Sequence, residues 1–404
     1  MSLFGGKKSY VGVDIGTSSI KVTEFTDDRG RPRLVTYGFA DQPIEVLKSD
    51  TPESREYVTQ SLKAILKKAH ISSTQAVAAL PNFSVFSSII SLPEMSKKDL
   101  FSAVRWEAKK FVPMPLEEMV LDWRVLKTEE QHAAAAKAAL EPAMAGMPDT
   151  IPRPGIPSAA GAPESLFKAS SQSEGEIKEE HKELGKEGQT GKNLRVLITA
   201  APKGLVERYI QIFKGADLQM KSLETEAFSL TRSLIGSDPS PILLVDIGAV
   251  TTTISIIVDG IPMMNKSIDV GGETITQAIT TSLHVEHRRA EQFKRDFGLA
   301  TSSGPATQVP KTIEFTFSSI VNEMHYVLNL FQSQEHIVPE KIILAGGSAF
   351  LPNLIHHLET EMNMRAFIGD PWARVVYPKD LQPLLAEIGP RFAVAAGLGM
   401  REIL

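Results

Sequence analysis

One unit of this chain, YVGVDIGTSSIKVTEF at residues 10–25, recurs as ILLVDIGAVTTTISIIVD at residues 242–259, and the recurrence restricts the fold more than any other feature. Each copy is a run of strand-forming residues, an Asp-Ile-Gly step, a turn of small residues and a second such run. Val11, Val13, Ile15, Ile20, Val22 and Phe25 suit strands, and Gly16 suits a turn that needs unusual backbone angles. A single copy reads equally well as an ordinary β-hairpin with only local turn chemistry. Two copies make it the internal repeat of the protein.

The turn chemistry has a specific meaning. Gly, Ser and Thr in a short turn offer backbone N–H groups and hydroxyls to phosphate oxygens. An Asp at the start of each turn can hold hydrated magnesium, a hard cation that prefers oxygen ligands. Two such hairpins facing across a cleft can grip a nucleoside triphosphate from both sides. A third piece, KIILAGGSAF at residues 341–350, is a buried strand followed by Gly346-Gly347-Ser348. Paired glycines admit close approach to a flat ligand, and the competing reading is a plain strand-to-helix turn. A fourth piece is Val270-Gly271-Gly272-Glu273, followed by Glu291, Lys294 and Arg295. Those charges can reach a ribose or adenine, or form a solvated helix face.

The rest of the chain supports a mixed sheet with helices packed on it. A third strand is expected at 34–39, an amphipathic helix at 54–69 and a buried strand at 76–80. Strands at 85–92, 120–126, 194–200 and 218–223 alternate with helices at 96–111 and 203–213, the former stopping before Pro113 and Pro115. A further helix is expected to run to about Leu234. Residues 128–192 turn to an alanine run, Pro/Gly/Met repeats and a Lys/Glu-rich stretch, which reads as disordered. With 43 basic and 48 acidic residues the chain has no polyanion-binding bias, and the lack of cysteine excludes disulfides and thiolate sites. No run approaches the roughly 20 apolar residues of a membrane span. His284/His287 and His356/His357 lack matched ligands nearby and read as surface histidines.

Two DIG-type loops, a middle connecting helix and AGGSAFLPN, in this order, resemble the actin/DnaK/FtsA ATPase superfamily. EAKKFVPMPLEEMVLDWRVL at 107–126, the opening LFGGKK and the ending RFAVAAGLGMR resemble, more narrowly, the PilM family of type IV pilus assembly. Chains of the FtsA division family usually end in a membrane-targeting helix. Here Arg401-Glu402-Ile403-Leu404 follow the glycine-rich helix directly, and a membrane span of the GspL kind is also missing.

The resemblance implies an α/β, actin-like two-lobed ATPase fold with duplicated mixed sheets and an inserted α+β subdomain. It implies a first lobe at 9–82 and 204–240, the insert at 83–127 and 193–203, and a second lobe at 241–404 with a small subdomain at 271–335. A short tail at 1–8 precedes them. Asp14, Gly16, Thr17, Ser18, Ser19 and Lys21 then form the first phosphate loop. Asp246, Gly248, Thr251 and Thr252 form the second. Gly271, Gly272, Glu291, Lys294, Gly346, Gly347 and Ser348 surround the adenosine. Asp14 and Asp246 hold magnesium. Glu224 is the residue expected to orient water, with Glu226 as runner-up.

The implied partner is the N-terminal cytoplasmic tail of PilN, bound in a groove for which Phe83, Phe86, Trp106 and Phe111 are candidates; core packing is their competing role. The expected role is a cytoplasmic ATP-binding scaffold held at the inner membrane through partners, with slow hydrolysis if any. An FtsA-like filament-forming ATPase and a small-molecule kinase are the alternatives.

Overall fold

The computed structural model describes residues 8–44, 50–128, 193–299 and 308–404. The expectations for residues 1–7 and for 129–192 lie outside the described residues.

The chain opens with β1 (Ser9–Ile15), β2 (Ser19–Asp27) and β3 (Pro32–Asp41), then α1 (Pro52–Lys68) and β4 (Gln75–Leu80). Next come β5 (Phe86–Pro93), α2 (Lys97–Phe111), β6 (Met119–Thr128) and β7 (Asn193–Pro202). Helix α3 (Lys203–Gly215), β8 (Gln219–Thr225) and α4 (Glu226–Leu230) follow. The second half holds β9 (Ile242–Ile247), β10 (Thr252–Val258), β11 (Ile261–Ile268), α5 (Gly272–Leu283), α6 (His287–Phe297) and α7 (Gln308–Glu335). It closes with β12 (Lys341–Ala345), α8 (Leu354–Met362), β13 (Arg365–Ile368) and α9 (Gln382–Met400).

The repeat in the sequence is a repeat in topology. One sheet has the order β3-β2-β1-β4-β8 and the other β11-β10-β9-β12-β13. In both, the hairpin strands pair antiparallel while the later strands join in parallel. A third sheet, β5-β7-β6, is wholly antiparallel and interrupts the first between β4 and α3. Helix α2 covers that third sheet with its own core of Leu100, Val104 and Ala108 against Ile90, Val196 and Ile198.

Local chemistry sets the helix limits. Helix α1 begins two residues before the expected start, because Thr51 caps it by accepting the Ser54 N–H and Pro52 occupies its first turn. Ser96 caps α2 in the same way through the Asp99 N–H. The helix after β8 runs about as far as expected but changes type: α4 widens at Thr231–Ile235 into a π-turn and stops at Gly236, whose φ is +66°.

A core of Val77, Leu230, Leu244, Ala345, Val394 and Leu398 joins the two large sheets. Each of the Val and Leu side chains among them contributes roughly 1.5–3 kcal/mol when fully buried. Helix α9 lies in that junction, against β1, β2 and α4, and so fixes how the two repeated turns face each other. Among the described residues no helix is long and apolar enough to cross a membrane.

Candidate functional site

The two turns superpose residue for residue in their pairing. In the first, Asp14 is opposite Lys21 and the Gly16 N–H donates to Ser19 O at 3.0 Å. In the second, Asp246 is opposite Thr253 and the Gly248 N–H donates to Thr251 O, also at 3.0 Å. The copies differ in what they present. The first carries Thr17 and Ser18 where the second has Ala249 and Val250, and Lys21 where the second has Thr253. Lys21 Nζ donates to Asp14 Oδ2 at 2.8 Å, with both side chains buried.

The residues expected around the adenosine converge on the second turn. The Gly272 and Glu273 N–H groups at the start of α5 donate to Gly248 O and Ala249 O at 2.9 and 2.7 Å. A Cβ on Gly272 would stand 2.7 Å from Ser348 Oγ and 3.4 Å from Lys294 Nζ. Gly346 has φ +86°, and a Cβ there would stand 2.5 Å from Asp246 Oδ1, so only glycine brings this strand end against the carboxylate. Gly347, by contrast, faces open space.

Several expected ligand contacts are spent on protein groups instead. Thr252 is fully buried and its hydroxyl donates to Val270 O at 2.6 Å. Lys294 donates to Gly272 O at 2.9 Å and Thr276 Oγ1 at 2.8 Å, and pairs with Glu291 at 2.6 Å. Burial raises the Glu291 pKa, but Lys294, Thr276 and Arg295 together outweigh it and the net direction is down. Lys294 therefore holds the Gly271-Gly272 turn in place, and Glu291 holds Lys294.

The two glutamates at the end of β8 separate. Glu224 accepts from both guanidinium nitrogens of Arg232 at 2.7 and 2.9 Å and from Arg401 Nε at 3.2 Å. Arg232 also donates to Gly397 O at 2.7 Å, so Glu224 ties β8 to the C-terminal end of α9. That corrects the expectation for Glu224: both carboxylate oxygens are committed to arginines. Glu226, at the first position of α4, accepts the Asn82 N–H at 2.9 Å. Burial pushes its carboxyl up to about 8, with Asp246 and Asp14 adding to the rise, while Asn82 and Lys21 oppose it. Asp246 is pushed up to about 6 by burial and by Asp14, against Lys21. Glu226, Asp14 and Asp246 thus share one electrostatic field. No signal in the sequence pointed to Asn82.

A raised carboxyl pKa has a definite consequence for stability. The stabilisation linked to Glu226 is fully present below its unfolded pKa near 4.5 and is lost as pH rises through about 8. The ligand-free protein should therefore lose Tm between about pH 4.5 and about pH 8 and level off above that, and Glu226→Gln should flatten that fall. Calorimetric scans of both proteins across this range check it; parallel slopes would remove Glu226 as the cause.

Two copies of one mixed sheet, each aiming an acidic turn at the cleft between them, define an actin-like two-lobed protein. A family model described as type IV pilus assembly protein PilM matches residues 12–143 and 173–403. The chain belongs to that family. Among solved structures, a PilM-PilN type IV pilus biogenesis complex matches with 23% identity over 99% of this chain and 100% of that one, at a TM-score of 0.75. The ethanolamine utilization protein EutJ from Carboxydothermus hydrogenoformans matches with 14% identity over 98% and 90%, at 0.49. MreB 5 of Spiroplasma citri matches with 11% identity over 97% and 95%, at 0.47.

Proposed function

We propose that the chain is the cytoplasmic, ATP-binding scaffold of a type IV pilus assembly machine, and that it holds the cytoplasmic N-terminal tail of a PilN-type membrane protein. The observation that carries the nucleotide part is the shared field of Asp14, Asp246 and Glu226 across the repeated turns. Burial first, then Asp246 and Asp14, push the Glu226 carboxyl up, and burial and Asp14 push Asp246 up, which marks a site short of positive charge that suits a metal–nucleotide complex. Magnesium, held through its water shell by Asp14 and Asp246, would supply that charge beside the phosphates. The Thr17 and Ser18 hydroxyls and the turn amides receive phosphate oxygens, and the Gly346-Gly347 step leaves room for the flat base. Glu226, rather than Glu224, stands where a carboxyl can orient water. Membrane attachment is through the partner tail.

The partner part rests on the family and on an exposed aromatic set flanking the third sheet. Trp106 is 64% exposed, and Phe83 and Phe111 are also exposed, whereas Phe86 packs onto the core under α2. Lys110 Nζ sits 4.2 Å from the Trp106 ring centroid, leaving an amphipathic face for an extended peptide. A labelled synthetic peptide of a PilN-type tail should bind with micromolar-class affinity by fluorescence anisotropy. Trp106→Ala should weaken it about tenfold. Absence of binding to the unmodified chain would sink the partner assignment.

A further inference from the structure

Helix α2 buries one row of side chains and leaves the opposite side bare. Leu100, Val104 and Ala108, four residues apart, pack on the third sheet. The next row round the helix is Phe101, Arg105 and Lys109, with Lys98 one turn before Phe101, and all four are exposed. Phe101 is 53% exposed, a large apolar ring in water. The row after that holds Trp106 and Lys110, which the proposed function gives to the peptide.

The charge on this helix is unbalanced. Residues 98–110 carry Lys98, Arg105, Lys109 and Lys110 against Asp99 and Glu107, in a chain whose net charge is -5. Both acids are engaged locally: Asp99 accepts from Ser96 Oγ at 2.6 Å, and Glu107 accepts from Lys110 Nζ at 2.8 Å. The Lys98 and Lys109 side chains have no partner among the described residues, and the Arg105 guanidinium faces only the Phe101 ring, 6.0 Å from its centroid. The helix dipole gives a reason for Lys109 and Lys110, which lie in the last turn. It gives none for Lys98, which stands at the positive end of that dipole, nor for an exposed phenylalanine. The result is a strip of unpaired cations about 16 Å long with one aromatic ring among them.

We propose that this row is a direct contact with the anionic face of a lipid bilayer, the cations on headgroups and Phe101 between them. The placement rests on the functional reading above: the tail of a membrane protein held on the neighbouring row brings α2 to the bilayer, and adjacent rows lie within the roughly 10–12 Å width of one helix. A convex helix row has no groove to select a side chain. It matches a surface whose negative charge is spread out and whose interior is apolar. Each cation strengthens binding to such a surface about fivefold, so three of them make a weak site that needs a second signal. The tail supplies that signal by raising the local concentration of lipid at the row.

The test is co-sedimentation of the full chain with vesicles of phosphatidylcholine alone and of equal parts phosphatidylcholine and phosphatidylglycerol. The unmodified chain should prefer the anionic vesicles by about tenfold or more at low salt, and the preference should fade as salt rises. Lys98→Gln, Arg105→Gln and Lys109→Gln together should abolish the preference, and Phe101→Ser should weaken binding severalfold. Both variants should keep the Tm of the unmodified chain and its affinity for the synthetic tail peptide. Equal binding to the two vesicle types by the unmodified chain overturns the lipid contact, leaves an acidic protein surface as the row's occupant and leaves the functional reading standing. A preference that survives in the triple variant overturns it too. So does loss of peptide affinity in that variant, because the row then belongs to the peptide site. Anionic preference without any peptide binding sinks the partner assignment and upholds the lipid contact. The salt titration needs no variant: binding to anionic vesicles that is indifferent to salt overturns the proposal.

Discussion

Asp14→Ala should abolish magnesium-dependent ATP binding, lowering affinity by at least about 100-fold, or roughly 2.7 kcal/mol. The residue is 5% exposed and carries the first turn's carboxylate toward the cleft. Its removal acts in two ways. On the proposed reading, the magnesium water shell would lose one of its two carboxylate anchors. Lys21 also loses the partner that holds its Nζ at 2.8 Å. Breaking a buried pair from one side costs about 3–5 kcal/mol, because the remaining charge is uncompensated. Asp246 tempers that cost here: Asp14 raises its pKa and Lys21 lowers it, so without Asp14 it ionises more readily and faces the stranded lysine. Asp14→Asn separates the two effects, since it keeps an acceptor for Lys21 but removes the charge. Titration calorimetry with Mg-ATP, paired with a thermal scan, checks both variants. Wild-type affinity in a folded Asp14→Ala protein would remove Asp14 from the site.

What could be read in advance follows from what is local. The Asp-Ile-Gly turns and the Gly346-Gly347-Ser348 step were legible because a turn's residue choice is made by its own backbone angles. Their convergence was legible only through repetition. The division of labour between Glu224 and Glu226 was not legible. The two are two residues apart, so strand alternation alone would put both on one face; the switch from β8 to α4 between them turns Glu226 away from the α9 face that Glu224 meets. The arginines that claim Glu224 come from Arg232 and Arg401, and no local pattern pairs them. Lys294 and Glu291 were found as a charged cluster, but their three-residue spacing on α6 satisfies each with the other. The third sheet shows the same limit. Each of β5, β6 and β7 alternates visibly, yet β7 pairs with both of the others across a long separation, which local periodicity does not encode.

The largest loss of stability should come from a position with no functional chemistry, Gly12→Ala. Gly12 lies mid-strand in β1, paired with Thr23 on one side and Val77 on the other. A Cβ there would stand 2.1 Å from Ala395 O and 2.5 Å from Gly399 N, both main-chain atoms of α9. Neither can swing aside as a side chain would. The helix is held down elsewhere by equally close contacts: Thr23 Oγ1 donates to Ala395 O at 2.8 Å, and Ser229 Oγ donates to Val394 O at 2.6 Å. A Cβ on Gly397 would meet Ser229 O at 2.0 Å, so α9 cannot shift toward α4 to escape. The strand or the helix must move as a body. Overpacking of this kind costs about 3 kcal/mol or more when the backbone has to give, and Tm should fall by roughly 4 °C or more in a chain of this length. The damage should also reach the cleft, because Pro390 O on α9 accepts the Gly346 N–H at 3.0 Å and Gly346 abuts Asp246. ATP affinity should therefore drop together with stability, although Gly12 touches no ligand. Gly204→Ala is the matched control: a Cβ there meets nothing within 4 Å, in the first turn of α3, and Tm should hold or rise slightly. A Gly12→Ala protein that melts with the wild type would show that α9 does not lie flush on β1, and the geometry that aims the two turns at one cleft would need a different cause.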